Sequence, residues 1–518
     1  MGVSADPTAR AVERPELASR TELDHEVVIV GSGFSGIGAA IKLREMGFLD
    51  FVILEKADDL GGTWRDNDYP GLVVDMPSFI YSYPFEMSPE WERVYPKRGE
   101  IKAYADHCVS KYGLRPHMHF GRNVTRCFFD EEKNAWRIHL QAGEVITSRY
   151  LVAASGLLVE PRLPEIEGIE TFAGKLIHSA RWDHAYDLSG KRVAVIGTGA
   201  SAVQVIPSIV DRVERLDVYQ RTAIWMMGRP DAVIGESLKR LFRRAPFVQR
   251  GIRFLLNVMV ELTMGLGFIN YTRFPWMFRK LEASLIDSIR RQVHDSEVQE
   301  KLIPDYSFFC KRPSFSNDYY PVFNREHVEL VTEPIERVRK GSIRTADGGE
   351  REIDAIICAT GYSVFDRSCL PNFEVEGRDG RNLGDFWHSE GYQAYEGASV
   401  PGFPNFFLFM GPYSAAGASY FTMIDVESRH LVRCLSEARK RGANYIEVRQ
   451  EAHERNFRKV LRRRQRTVLF GGKCESSNSY YFDERGDTPS LRPVTGFEHW
   501  LRSWTFPLSD YRFERRSG

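Results

Sequence analysis

Two segments of this chain, Gly31-Ser32-Gly33-Phe34-Ser35-Gly36 and Gly197-Thr198-Gly199-Ala200-Ser201-Ala202, repeat one spacing of small residues, each between an apolar run and a helical pattern. The first follows Val27 to Val30 and leads into a helical stretch from Ile37 to Met46 and the apolar Phe51 to Leu54. The second follows Arg192 to Ile196 and leads into a helical stretch from Ser201 to about Val210 and a strand pattern at Leu216 to Tyr219. Strand, glycine turn, helix and strand form the unit that binds a dinucleotide. Its first glycine permits the tight turn, its second lets a pyrophosphate approach the backbone, and its third lets helix pack on strand. The helix N-terminus favours the anion. Alanine is tolerated in the third place, as at Ala202. Two copies predict an α/β fold with two Rossmann-like dinucleotide-binding domains.

The ends of the second strands tell the copies apart. Glu55 stands 24 positions after Gly31, where a carboxylate accepts from ribose hydroxyls. Arg221 stands 24 positions after Gly197, beside Gln220 and Thr222. A carboxylate repels a ribose 2′-phosphate and an arginine binds it. The acidic copy is therefore assigned to FAD and the basic copy to NADPH, and the two cofactors together imply hydride transfer between them. Disulfide reductases would need a redox dithiol beside the flavin. The seven cysteines, Cys108, Cys127, Cys310, Cys358, Cys369, Cys434 and Cys474, contain no CxxC pair and no zinc-like spacing. They read as structural thiols of a reducing compartment, no metal site is expected, and an external acceptor, with oxygen foremost, remains.

Further apolar strands at Tyr150 to Ala154, Ala355 to Ala359 and Phe406 to Met410 lead into Gly156, Gly361 and Gly411. Between them the strand pattern lapses, and Glu236 to Arg244, Gly251 to Thr263 and Phe278 to Arg290 look helical, which marks a helical insertion. Gly251 to Asn270 is apolar but interrupted by Arg253 and Glu261, short of a clean span of about 20 residues. A buried helix or the wall of a substrate path is expected; peripheral membrane contact through the basic Lys239 to Arg253 face is the alternative. Arg462, Arg463, Arg464 and Arg466 read as a solvated helix face. With 70 Lys+Arg against 70 Asp+Glu, nothing marks a dedicated nucleic-acid binder. The polar first residues lack the apolar core of a signal peptide, and Asp6 breaks the myristoylation pattern, so the expected location is cytoplasmic.

Two further stretches carry a family resemblance. Phe172-Ala-Gly174, three residues, His178, three residues, then Trp182-Asp183 resembles a fingerprint of the type I Baeyer-Villiger monooxygenases. Gly61-Gly62-Thr63-Trp64, Tyr69-Pro70-Gly71 and Asp75 are similar to the family's longer fingerprint, and Lys311-Arg312-Pro313 is a third match. Relatives that oxygenate nitrogen or sulfur usually end the first pattern with Tyr or Phe, so Trp182 favours a ketone over an amine or sulfide.

The resemblance implies that Arg312 is the main catalytic residue and Asp75 its carboxylate partner. Lys311 helps hold the NADP phosphate, and His178 and Trp182 have supporting roles. Gly62, Trp64 and Tyr81 lie near the flavin. A flavin C4a-peroxide, stabilised by the fixed charge of Arg312, would attack a hydrophobic ketone, so that O2 yields an ester or lactone. The resemblance also implies a discontinuous FAD domain, 23–159 and 365–518, around an NADPH domain, 160–364, with the helical insertion at about 229–305 and a flexible arm at 1–22. The chain departs from the family where a C-terminal Ser-Trp-Tyr is common: here Ser479-Tyr480-Tyr481 precedes Gly486.

Overall fold

The computed structural model describes residues 23–365, 370–416 and 419–516. The proposed N-terminal arm, Cys369 and Gly417 lie outside them.

The first fingerprint sits on the larger sheet. Strand His25–Val30 pairs in parallel with Phe51–Leu54 on one side and Val145–Ala153 on the other. Val145–Ala153 also takes Phe406–Leu408 as a parallel neighbour. An antiparallel pair, Val124–Asp130 and Ala135–Leu140, extends the sheet beyond it. Helix Phe34–Glu45 buries most of its residues, from Phe34 through Leu43, between this sheet and helix Tyr420–Arg441. Parallel strands covered on both faces read as continuous apolar runs, as Val27 to Val30 and Phe51 to Leu54 do.

The second fingerprint sits on a five-stranded, wholly parallel sheet. Its order is Val328–Val331, Arg215–Tyr219, Arg192–Ile196, Ala355–Cys358, Lys175–His178. Helix Ala200–Ile209 follows the glycine turn and buries Ala202, Val203, Val205 and Ile206. Helices Glu236–Arg244, Pro246–Ile269, Pro275–Gln292 and Ser296–Leu302 lie between strand Arg215–Tyr219 and its neighbour Val328–Val331. The strands and helices expected around both fingerprints are present, with ends shifted by at most a few residues.

Two surface expectations change. Helix Pro246–Val260 continues through a π-turn at Glu261–Gly265 to Ile269. It is not a wholly buried helix: Gln249 and Arg253 are buried and Val248, Ile252 and Leu256 pack on the first core, while Phe247, Phe254, Leu255 and Leu262 are exposed. The arginines of helix Gln450–Arg464 are only partly a solvated face, since Arg463 pairs with Glu498 and Arg464 with Asp487.

Candidate active site

Both glycine turns open into one cavity of about 2540 Å³. At the first turn Gly31 has φ +106°, and a Cβ there would stand 2.5 Å from the Ala154 carbonyl oxygen; a Cβ on Gly36 would stand 1.9 Å from that of Gly31. Gly31 and Gly36 therefore have no room for side chains, and the backbone of Gly33 and Gly62 faces the cavity. Glu55 is buried beside them. Its carboxylate accepts from the Ser32 amide at 2.9 Å, the Ser32 hydroxyl at 2.7 Å and the Ala57 amide at 3.0 Å, and pairs with Arg65 at 3.2 Å. Burial opposes ionisation, but these donors together hold the carboxyl below its usual range, so the acidic copy presents a fixed negative charge.

The second turn presents the opposite charge. Gly197, Gly199, Ser201, Arg221 and Thr222 line the cavity, and so does Lys311. Strand pairing brings Lys311 there, because Met226–Met227, just past Arg221, runs parallel to Ser314–Phe315, just past Arg312. Burial, with the repulsion of Arg221 added, pushes the Lys311 ammonium down to about 8. Neither cation has a carboxylate within ion-pair distance among the described residues. Two neighbouring cations with no counter-charge fit a phosphate, and the glycine cradle with its fixed carboxylate fits the ribose and pyrophosphate of a second nucleotide.

Between these ends lies Arg312. Its Nε and Nη2 donate to one oxygen of Asp75, at 3.0 and 2.7 Å. The Asp75 charge, opposed by burial and aided by Tyr480 and Tyr481, holds the guanidinium well above its usual range. Asp75 is placed by a contact that spans the two sheets. Gln204, on helix Ala200–Ile209, donates to the Val73 carbonyl at 3.0 Å and accepts from the Val73 amide at 3.3 Å. Gly71, at φ +80°, lies so close to that helix that a Cβ would stand 2.1 Å from Ser208 Oγ and 2.5 Å from the Gln204 carbonyl oxygen. The Tyr-Pro-Gly segment thus has its glycine where one domain abuts the other.

Trp64 is buried, donates from its indole to the Tyr81 hydroxyl at 3.0 Å, and lines the cavity with Tyr81. Burial pushes the Tyr81 phenol far above its usual range, so it stays protonated. His178 and Trp182 do not line the cavity. His178 is buried at the end of strand Lys175–His178; its Nδ1 accepts from the Ala180 amide at 3.1 Å, and burial holds it below the ordinary histidine range. The Arg162 and Gly361 carbonyls act on it from the two linkers between the sheets, which pair through Pro161 and Tyr362. Trp182 packs against the second core with Tyr186.

One expectation fails outright. Cys310 and Cys474 form a disulfide across 164 residues, and only Cys108, Cys127, Cys358 and Cys434 are free among the described residues. The bond fastens the segment of Lys311 and Arg312 to the loop that carries Asn478, Tyr480 and Tyr481. Asn478 donates to the Thr222 hydroxyl at 2.7 Å. Sequence reasoning did not single out Asn478; for Tyr480 and Tyr481 the signal was the family's Ser-Trp-Tyr stretch, which lines cofactor and substrate in relatives.

The comparisons with known proteins agree with this geometry. Residues 28–244 match a family model described as pyridine nucleotide-disulphide oxidoreductase. That span holds the two glycine turns but neither Cys310 nor Cys474. A "Baeyer-Villiger monooxygenase" of Pseudomonas aeruginosa is 40% identical over 452 residues, which cover 87% of this chain and 84% of the relative. Another, from Streptomyces coelicolor, is 39% identical over 492 residues, covering 94% and 92%. The chain belongs to the Baeyer-Villiger monooxygenases. Among solved structures, OTEMO in complex with FAD and NADP superposes with a TM-score of 0.83 at 27% identity, over 95% of this chain and 100% of that one.

Proposed function

We propose that Arg312, oriented by Asp75, is the catalytic cation of an NADPH-dependent Baeyer-Villiger oxidation. In it one oxygen atom of O2 enters next to the carbonyl of a hydrophobic ketone to give an ester or lactone. The observation that carries the reading is the Arg312–Asp75 pair, open to a cavity lined by both dinucleotide turns.

The enzyme takes FAD and NADPH. Gly31, Gly33 and Gly62 would receive the FAD pyrophosphate on a turn that Gly36 lets close, with Glu55 at its ribose. Gly197, Gly199 and Ser201 would receive the NADPH pyrophosphate, and Arg221, Thr222 and Lys311 its 2′-phosphate. Bound FAD, once reduced by NADPH, supplies the activated oxygen. Arg312 stabilises negative charge on oxygen as the ketone is attacked, and arginine suits this because it keeps its proton. Asp75 fixes the direction of that charge, and Gln204 fixes Asp75 through Val73. Trp64 and Tyr81 pack the wall, and His178 steadies the linkers rather than moving a proton. Met259, Phe268, Phe278, Leu281 and Phe309 line one wall of the cavity, which supports an apolar substrate.

The reading divides the chain into an FAD domain, 23–159 and 365–518, and an NADPH domain, 160–364. It places the enzyme in the cytoplasm, where NADPH is available. The test is product analysis with 18O2, NADPH and a panel of linear, cyclic, aryl and steroidal ketones. Esters carrying one labelled atom support it; oxidation of amines or sulfides alone would overturn it.

A further inference from the structure

Helix Pro246–Ile269 carries apolar side chains on its outer face as well as on its inner one. Its inner face fastens it to the protein: Val248, Ile252 and Leu256 pack on the first core, Gln249 donates to the Ser88 carbonyl at 2.7 Å, and Arg253 to the carbonyls of Ser82 at 2.9 Å and Phe79 at 3.2 Å. Its outward side chains are apolar, with Phe247 72%, Phe254 67% and Leu255 66% exposed, and Val258, Leu262 and Leu266 on the same stripe. The neighbouring helix Gly496–Thr505 repeats the pattern with Phe497 and Trp504, 66% and 52% exposed, and Trp500 and Leu501 between them. The two helices meet where the Gly496 amide donates to Glu261 at 2.8 Å.

We propose that these two stripes form a docking surface for an anionic lipid bilayer, lying in the headgroup plane without crossing it. The 24-residue helix is long and apolar enough by length and composition to span a membrane, but Gln249 and Arg253 fasten its inner face to the protein. Charge selects the occupant. Residues 239–280 hold nine Lys or Arg against one acid, Glu261; Arg253 is buried and Lys239 and Arg243 pair with Glu236 and Glu90, which leaves six cations on the surface. Arg244 and Arg250 flank the stripe at one end, and Arg273, Arg279 and Lys280 at the other, all exposed. A basic margin around an apolar stripe, with tryptophans at the edge, is the pattern of an interfacial helix on anionic lipid. A second copy seated face to face would bring the same basic margins together and repel.

The surface has a use because Met259 and Leu262 line the active-site cavity while remaining exposed on the stripe. A ketone dissolved in the bilayer would meet the cavity wall directly. That route rests on the ketone reading above; the docking does not.

The test uses the FAD-loaded enzyme, co-sedimentation with phosphatidylcholine and phosphatidylcholine/phosphatidylglycerol vesicles, and sedimentation velocity without lipid. The anionic vesicles should carry the enzyme down, less so at high salt, and the paired substitution Phe254→Glu and Leu255→Glu should weaken this by about tenfold or more. Neither side chain lines the cavity, so FAD content and turnover of a water-soluble ketone should not change. The proposal is overturned if the enzyme stays in the supernatant with anionic vesicles, or if the paired variant binds them as well as the parent. It is also overturned if the free enzyme is a dimer that the paired variant splits, which would make a second copy the occupant. Absence of ketone turnover in the parent enzyme, with vesicle binding intact, would count against the ketone reading alone.

Discussion

Lys311 offers the sharpest quantitative prediction. In the ligand-free site, burial and the nearby Arg221 push its ammonium down to about 8. A 2′-phosphate bound between the two cations would return Lys311 toward the ordinary lysine range of about 10.4. Binding then favours the protonated enzyme. The protonated fraction of the free enzyme falls from about nine-tenths at pH 7 to about one-tenth at pH 9, so NADP+ affinity should weaken about tenfold, or about 1.4 kcal/mol, over that interval. NAD+ lacks the phosphate and should bind with no such slope. Calorimetric titration of the FAD-loaded enzyme with each nucleotide at several pH values reads this directly, and Lys311→Met should abolish the NADP+ slope. A flat NADP+ profile, or a slope that persists in Lys311→Met, would refute the reasoning. The sign for stability is separate: the folded protein releases this proton before the unfolded chain does. The charged form therefore costs stability below pH 8, and the cost fades as pH rises above it, so Lys311→Met should stabilise the ligand-free enzyme at pH 7.

Three further outcomes are expected. Arg221→Ala should lose a charge-assisted contact of about 1.5–3 kcal/mol, lowering the preference for NADP+ over NAD+ by about 10- to 150-fold in the same titrations. Gly71→Ala should push the Tyr69–Val73 segment off Gln204 and cost about 1–3 kcal/mol; thermal melts should fall, and NADPH oxidation should yield more hydrogen peroxide per ester. Glu427, wholly buried and accepting from the Met410 amide at 2.9 Å, has its carboxyl raised to about 8 by burial. Its ionisation therefore erodes stability as pH climbs from about 4.5 to 8. Glu427→Gln should raise the melting temperature by about 2–4 °C at pH 8 and leave it unchanged at pH 5.

The parts of this molecule legible in the sequence are those with a local period. Both strand–turn–helix units, the carboxylate at 55 and the arginine at 221 follow from spacing within a few dozen residues. The hairpin of Val124–Asp130 and Ala135–Leu140 left no such mark, because its turn uses Asn134 at φ +47° rather than a glycine. Relations across long separations were equally silent. Nothing near Cys310 announces Cys474, and nothing near Gln204 announces Val73, yet these contacts bring Arg312, Asp75 and the C-terminal loop together. Composition misled in part at helix Pro246–Ile269, where Val248, Ile252 and Leu256 do pack on the core but the outer stripe of the same apolar run does not. Tyr480 and Tyr481 could be noticed as a departure from the family pattern, but not located beside Arg312.

The central claim is that the fixed charge of Arg312 makes the oxygen transfer possible while hydride transfer does not need it. The direct measurement is the ratio of ester formed to NADPH consumed in Arg312→Ala, with FAD content and the rate of anaerobic flavin bleaching by NADPH recorded beside it. The account predicts full FAD, bleaching within a few-fold of the parent, hydrogen peroxide in place of ester, and an ester yield about a hundredfold or more below the parent. Ester formation at the parent's yield in Arg312→Ala would contradict it.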